Sequence, residues 1–101
     1  APSTRARMMR AEAGLFEADR AWARAISSYQ SAARLMPCVS GPHYAAAQLY
    51  ERLNKYDAAE REVHEGIRID GPGAEKARAP WLERLAKLRE DERLAPQPEP
   101  Q

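Results

Sequence analysis

The sequence predicts an all-α chain built from a repeated helix pair, and three observations carry that prediction. The first is internal. Residues 9–37 align with residues 43–71 at an offset of 34, which places Ala11, Ala13, Leu15, Glu17, Ala25 and Arg34 on Ala45, Ala47, Leu49, Glu51, Ala59 and Arg68. Related residues coincide too: Phe16 with Tyr50, Trp22 with Tyr56, Leu35 with Ile69, and Ala32 with Gly66. A period of about 20–50 residues marks stacked supersecondary units, each burying its apolar face on the next. The second is composition, because the long segments are rich in Ala, Leu, Glu and Arg, the better helix formers. The third is periodicity, with apolar residues recurring at helical spacing along each long segment.

The first helix is expected from about Ser3 to Asp19, with Ser3 or Thr4 as its N-cap and Met9, Ala13 and Phe16 on one face beside Leu15. A break near Arg20–Ala21 has no Gly or Pro to mark it and is inferred from Asn54 and Lys55 at the matching positions of the second copy. The second helix, about Ala23 to Met36, carries Ala25, Ile26, Tyr29, Ala32, Ala33 and Met36 on one stripe. Pro37 ends it, because proline cannot continue the hydrogen-bond ladder.

A loop at Cys38–Gly41 leads to Pro42, which suits the first helical position because its missing N–H is no loss there. The third helix runs to about Leu53, where Asn54 is a plausible stop. Asp57 with Glu60 reads as a capping-box start for a fourth helix that ends near Ile69, before Gly71-Pro72-Gly73. A fifth helix is expected over 74–94, with Trp81, Leu82, Leu85 and Leu88 as its apolar face and Pro80 as a kink or a fresh start. After Leu94, the run Ala-Pro-Gln-Pro-Glu-Pro-Gln reads as an extended tail or linker over 95–101.

Composition narrows the function classes. No stretch of about 18 apolar residues occurs, so no membrane span is expected. The net charge of +1 is unevenly placed: residues 1–40 hold six Arg against three acids, and 41–73 hold four bases against six acids. That field is too weak to point to nucleic-acid binding, which calls for a strongly basic face. The lone Cys38 has no intrachain disulfide partner, so cysteine usage does not set the compartment, cytoplasmic or periplasmic. Arg outnumbers Lys 13 to 3, which points to a GC-rich bacterial genome.

The 34-residue helix–turn–helix unit resembles the tetratricopeptide repeat family. That family places small residues where helices touch, matched here by Ala13, Ala25 and Ala32 and then by Ala47, Ala59 and Gly66. Its aromatic positions are matched by Phe16, Trp22 and Tyr29, then by Tyr50 and Tyr56. Small side chains let paired helices approach, and large ones fill the gaps beside them. A mid-helix glycine costs about 1 kcal/mol against alanine, so Gly66 makes sense where a neighbouring helix comes close. Departures are Glu12 and Ala46 in place of leucine, Val63 in place of an aromatic, Gly71 in place of the closing proline, and no glycine in either turn within a pair.

The resemblance implies two repeats, at about 5–37 and 41–71, and a capping helix at about 74–94, together a domain over 1–94 forming a right-handed α-solenoid fragment. It also implies a concave groove lined by the first helix of each pair, at Arg7, Arg10, Gly14, Glu17 and Ala18, then Tyr44, Gln48, Glu51 and Arg52. Arg7, Arg10 and Arg52 would hold carboxylates of a docked peptide, and Tyr44 would offer a stacking surface. The family's clamp for chaperone C-termini is not expected. Gly14 and Ala45 stand where it uses asparagines, and Glu75 and Ala79 where it needs bases.

Other chemistry finds little support in the residues. Cys38, His43 and His64 fall short of the four ligands usual for structural zinc, and no base is paired with Cys38 for nucleophilic work. Phosphate-loop, HExxH and GxSxG patterns do not occur. The expected function is a non-catalytic, cofactor-free interaction module for a peptide or protein partner, within a longer polypeptide. The alternatives are a homo-oligomerising structural module, since two repeats bury less than the three usually needed, and, last, an accessory domain using Arg5, Arg7, Arg10 and Arg24 on an enzyme or nucleic acid.

Overall fold

The computed structural model describes residues 2–95, and over them the chain is all-helical, with no strand. The helices are α1 (Pro2–Ala18), α2 (Trp22–Leu35), α3 (Gly41–Arg52), α4 (Tyr56–Asp70) and α5 (Pro72–Leu94). Each packs chiefly on the next one in the chain.

The turns inside the two helix pairs are built alike. Arg20 and Asn54, 34 residues apart, both take the left-handed conformation, with φ of 59° and 60°. At the first turn the Arg20 amide donates to the Glu17 carbonyl at 2.9 Å and the Ala21 amide to the Phe16 carbonyl at 2.7 Å. At the second, Asn54 donates to Glu51 at 3.0 Å and Lys55 to Tyr50 at 2.9 Å. Both are Schellman closures, in which two amides beyond the helix satisfy carbonyls that its last turn leaves open. The left-handed residue is usually glycine. Asparagine tolerates that conformation, whereas arginine carries a penalty of about 1–2 kcal/mol there.

The positions expected to touch are the ones that lose water. Ala13, Ala25, Ala32, Ala47 and Ala59 are fully buried. One core cluster joins Ala25, Ile26 and Leu49, flanked by Phe16, Trp22 and Tyr29. The other joins Tyr44, Ala47, Ala59, Val63 and Leu85, flanked by Trp81 and Leu82. Tyr50 packs against both and so links them. Leu49, Val63 and Leu85 each contribute about 1.5–3 kcal/mol by leaving water. Gly66 is buried against α3: a Cβ there would lie 2.5 Å from Tyr44 Cζ and 3.0 Å from Cδ1.

Several local expectations are corrected. Ser3 and Thr4 lie inside α1, which begins at Pro2, so neither is the N-cap. The N-cap position of α4 is held by Lys55 with no side-chain bond, and Asp57 sits in the first turn, where its charge favours the helix dipole instead of capping. Gly41 opens α3, with Pro42 second. The fifth helix starts two residues earlier than expected, at Pro72 after Gly71 (φ 93°), and continues through Pro80 as one helix. Ala95 is extended, and residues 96–101 of the expected tail lie outside the described residues.

Candidate interaction surface

Of the residues expected to line a groove, three are engaged inside the protein. Glu17 on α1 accepts a 2.6 Å hydrogen bond from the Tyr29 hydroxyl of α2. Burial first, and then that bond, push the Tyr29 pKa up to about 12. Glu51 on α3 accepts from Trp81 Nε1 at 2.9 Å and from Arg84 through Nε at 3.0 Å and Nη2 at 2.8 Å. The Arg84 bonds hold the Glu51 carboxyl below its ordinary range, against the opposing effect of burial. The two glutamates occupy matching places but serve different partners, because Val63 stands where a counterpart of Tyr29 would be.

Tyr44 is a core residue, 9% exposed, and not an open stacking surface. Its ring slots against Gly66, under the Arg78 guanidinium at 4.0 Å and beside Trp81 at 6.1 Å between centroids. Its hydroxyl donates to Asp70 Oδ2 at 3.0 Å. Burial foremost, and then that bond, raise its pKa. Sequence reasoning misses Arg78, whose role follows from α5 side chains reaching across to α3, and no local pattern encodes that.

Arg7, Arg10, Gln48 and Arg52 are exposed, as are Gly14 and Ala18. Arg52 stands over the Trp22 ring at 5.2 Å. Arg7 and Arg10 come together at a hollow of about 150 Å³, which Ala6, Ala32, Met36 and Pro42 also line. Arg10 reaches the start of α3, its Nη2 3.5 Å from where a Cβ on Gly41 would sit. Two cations beside an apolar hollow suit an anionic group carried on an apolar stem: the guanidinium forks bind a carboxylate while the stem leaves water. In the sequence, Met36 reads as the last residue of the second helix's apolar stripe and Val39 as part of a loop.

Cys38 is exposed, and His43 pairs through Nδ1 with Glu62 of α4 at 2.8 Å. Among the described residues no group of three or more His, Cys, Asp or Glu is placed to hold a metal ion. No helix there is long and apolar enough to cross a membrane. No family model, curated protein or solved structure matches the chain.

Proposed function

We propose that the chain is a tetratricopeptide-like module, two repeats and a capping helix stacked as a solenoid fragment, that presents a shallow surface to a peptide or protein partner. The observation that carries the reading is the pair of matching Schellman turns 34 residues apart, with buried small residues at matching places in both helix pairs. A row of helix pairs held this way is rigid before it binds, so little ordering cost is added on docking. The contact residues are Arg7, Arg10, Gln48 and Arg52, and the partner chemistry they favour is acidic.

The test is photo-crosslinking from Gln48 in native extract, comparing the parent chain with Arg7→Ala/Arg10→Ala. Loss of the crosslinked partner with helicity unchanged supports the groove, and equal capture by both chains refutes it. A second reading, a homo-oligomerising structural module, draws on the large apolar side chains Met8 and Leu15 left exposed on α1.

A further inference from the structure

Helix α1 has two apolar faces. Ala6 and Ala13 are buried. On the opposite side Thr4, Met8, Ala11, Leu15 and Ala18 follow one another at three- and four-residue spacings, and all are exposed. Met8 is 65% and Leu15 70% exposed. A surface helix ordinarily carries polar and charged residues on the side away from its core.

The internal repeat tells what this face is built for. Thirty-four residues on, Met8 and Leu15 correspond to Pro42 and Leu49, both buried. Leu49 packs on Ala25 and Ile26 of α2. The face that α2 covers in α3 therefore has no cover in α1 among the described residues. The far end of the row is finished differently. There α5 buries Leu85 and turns Glu83, Lys87, Glu90 and Asp91 to solvent. A second copy stacked head to tail would set those charges on Met8 and Leu15. Two α1 faces set against each other pair apolar with apolar.

We propose that this face is an interface between two copies of the chain, α1 running antiparallel to its counterpart about a two-fold axis between Ala11 and Glu12. Met8 and Leu15 lie equally far from that point, so each Met8 meets Leu15 of the second copy. Arg5 and Asp19 lie 14 residues apart, close to four whole turns, and share one flank of the stripe. Antiparallel pairing sets Arg5 beside Asp19 of the second copy, twice by symmetry. Parallel pairing would set Met8 on Met8 and keep Arg5 and Asp19 of the two copies about 21 Å apart along the helix. Glu12 lies near the axis on the same flank, and Arg24 lines the hollow beside it. From Thr4 to Ala18 the face is roughly 21 Å long. One such helix face buries less than the about 1,200–2,000 Å² of stable interfaces, so association is concentration-dependent. The pairing rests on the repeat correspondence and not on the Arg7/Arg10 surface, so either can fail alone.

Sedimentation of the chain from micromolar to millimolar concentration tests it. A monomer–dimer equilibrium is expected, and Leu15→Glu, at a largely exposed position that leaves helicity intact, weakens it by about 30-fold or more. Arg5→Asp and Asp19→Arg each weaken the dimer, and the double reversal restores it. Ala11→Cys in a Cys38→Ser background oxidises to a disulfide-linked dimer. A chain monomeric throughout, a dimer indifferent to Leu15→Glu, or a double reversal weaker than both single ones overturns the proposal. So does a monomer whose α1 face holds a different protein.

Discussion

Replacing Gly66 by alanine tests the packing directly, because two well-known effects pull in opposite directions. In an open helix Gly→Ala gains about 1 kcal/mol, since alanine loses less backbone entropy on folding. At Gly66 the new methyl group would fall 2.5 Å from Tyr44 Cζ, far inside van der Waals contact. The ring has little freedom to retreat: Asp70 holds its hydroxyl at 3.0 Å and Arg78 lies over its face at 4.0 Å. Overpacking of this kind costs about 1–3 kcal/mol. If the ring swings away, the Asp70 hydrogen bond is lost as well, at about 1 kcal/mol. Adding these costs and subtracting the helix gain leaves Gly66→Ala destabilised by about 1–3 kcal/mol. Gly14 is the internal control, exposed in mid-helix with nothing within 4 Å of the methyl group that alanine would add. Gly14→Ala should gain about 0.5–1 kcal/mol. Urea unfolding followed by circular dichroism measures both, and in a Tyr44→Ala background the Gly66→Ala effect should change sign. A Gly66→Ala chain as stable as the parent would refute the close approach of α3 and α4.

Three further outcomes follow from the same contacts. Arg20→Gly should raise stability by about 0.5–1 kcal/mol in thermal unfolding, because glycine takes positive φ freely, whereas Asn54→Gly should change little. The Glu51 carboxyl has a lowered pKa in the folded chain, so its contribution is present above the ordinary glutamate range and is lost as the pH falls through the folded value. Urea midpoints at neutral and acid pH should therefore differ less for Glu51→Gln than for the parent; an unchanged difference would remove Glu51 from the account. Tyr29 has a raised pKa of about 12, so its stabilising effect is whole below the unfolded value near 10 and is lost as the pH rises between them. Ultraviolet titration should show a late-ionising tyrosine that Tyr29→Phe removes.

What was legible in the sequence was what the repeat imposes on the backbone. The offset located Ala13, Ala25, Ala47 and Ala59 as contact points, and all four are fully buried. It also placed the unmarked break at Arg20–Ala21, since the turn there copies the one at Asn54–Lys55. Gly66 announced a close approach, and the approaching group is the Tyr44 ring. The pairing of those two residues, 22 positions apart on different helices, is not a local pattern, so Tyr44 read as surface. The partners of Glu51, Trp81 and Arg84, lie 30 and 33 residues away on a helix outside the repeat. The caps depart from the local pattern for a different reason. Ser3 and Asp57 have suitable side chains, but α1 already starts at Pro2, and the Schellman turn passes straight from α3 into α4 with Lys55 at the cap.

The two halves of the molecule divide their side chains differently, and on the groove reading that division sets where a partner can bind. In the second pair, Tyr44 and Glu51 are committed to α4 and α5, through Asp70, Arg78, Trp81 and Arg84. Helix α5 thus occupies Glu51 and the Tyr44 ring, and leaves Gln48 and Arg52 exposed there. Of the first pair's residues expected at the groove, only Glu17 is hydrogen-bonded, to Tyr29, and no ion pair among the described residues includes Arg7 or Arg10. Two of the three groove arginines therefore sit on α1, next to the apolar hollow by Ala6, Met36 and Pro42, and the third, Arg52, lies on α3. A partner reading this surface needs one acidic group and one apolar anchor a few ångströms apart, not an extended strand of contacts. Neutralising Arg7 and Arg10 should therefore abolish binding, while Gln48→Ala and Arg52→Ala should only weaken it. Equal losses from all four would show a contact spread along both helix pairs.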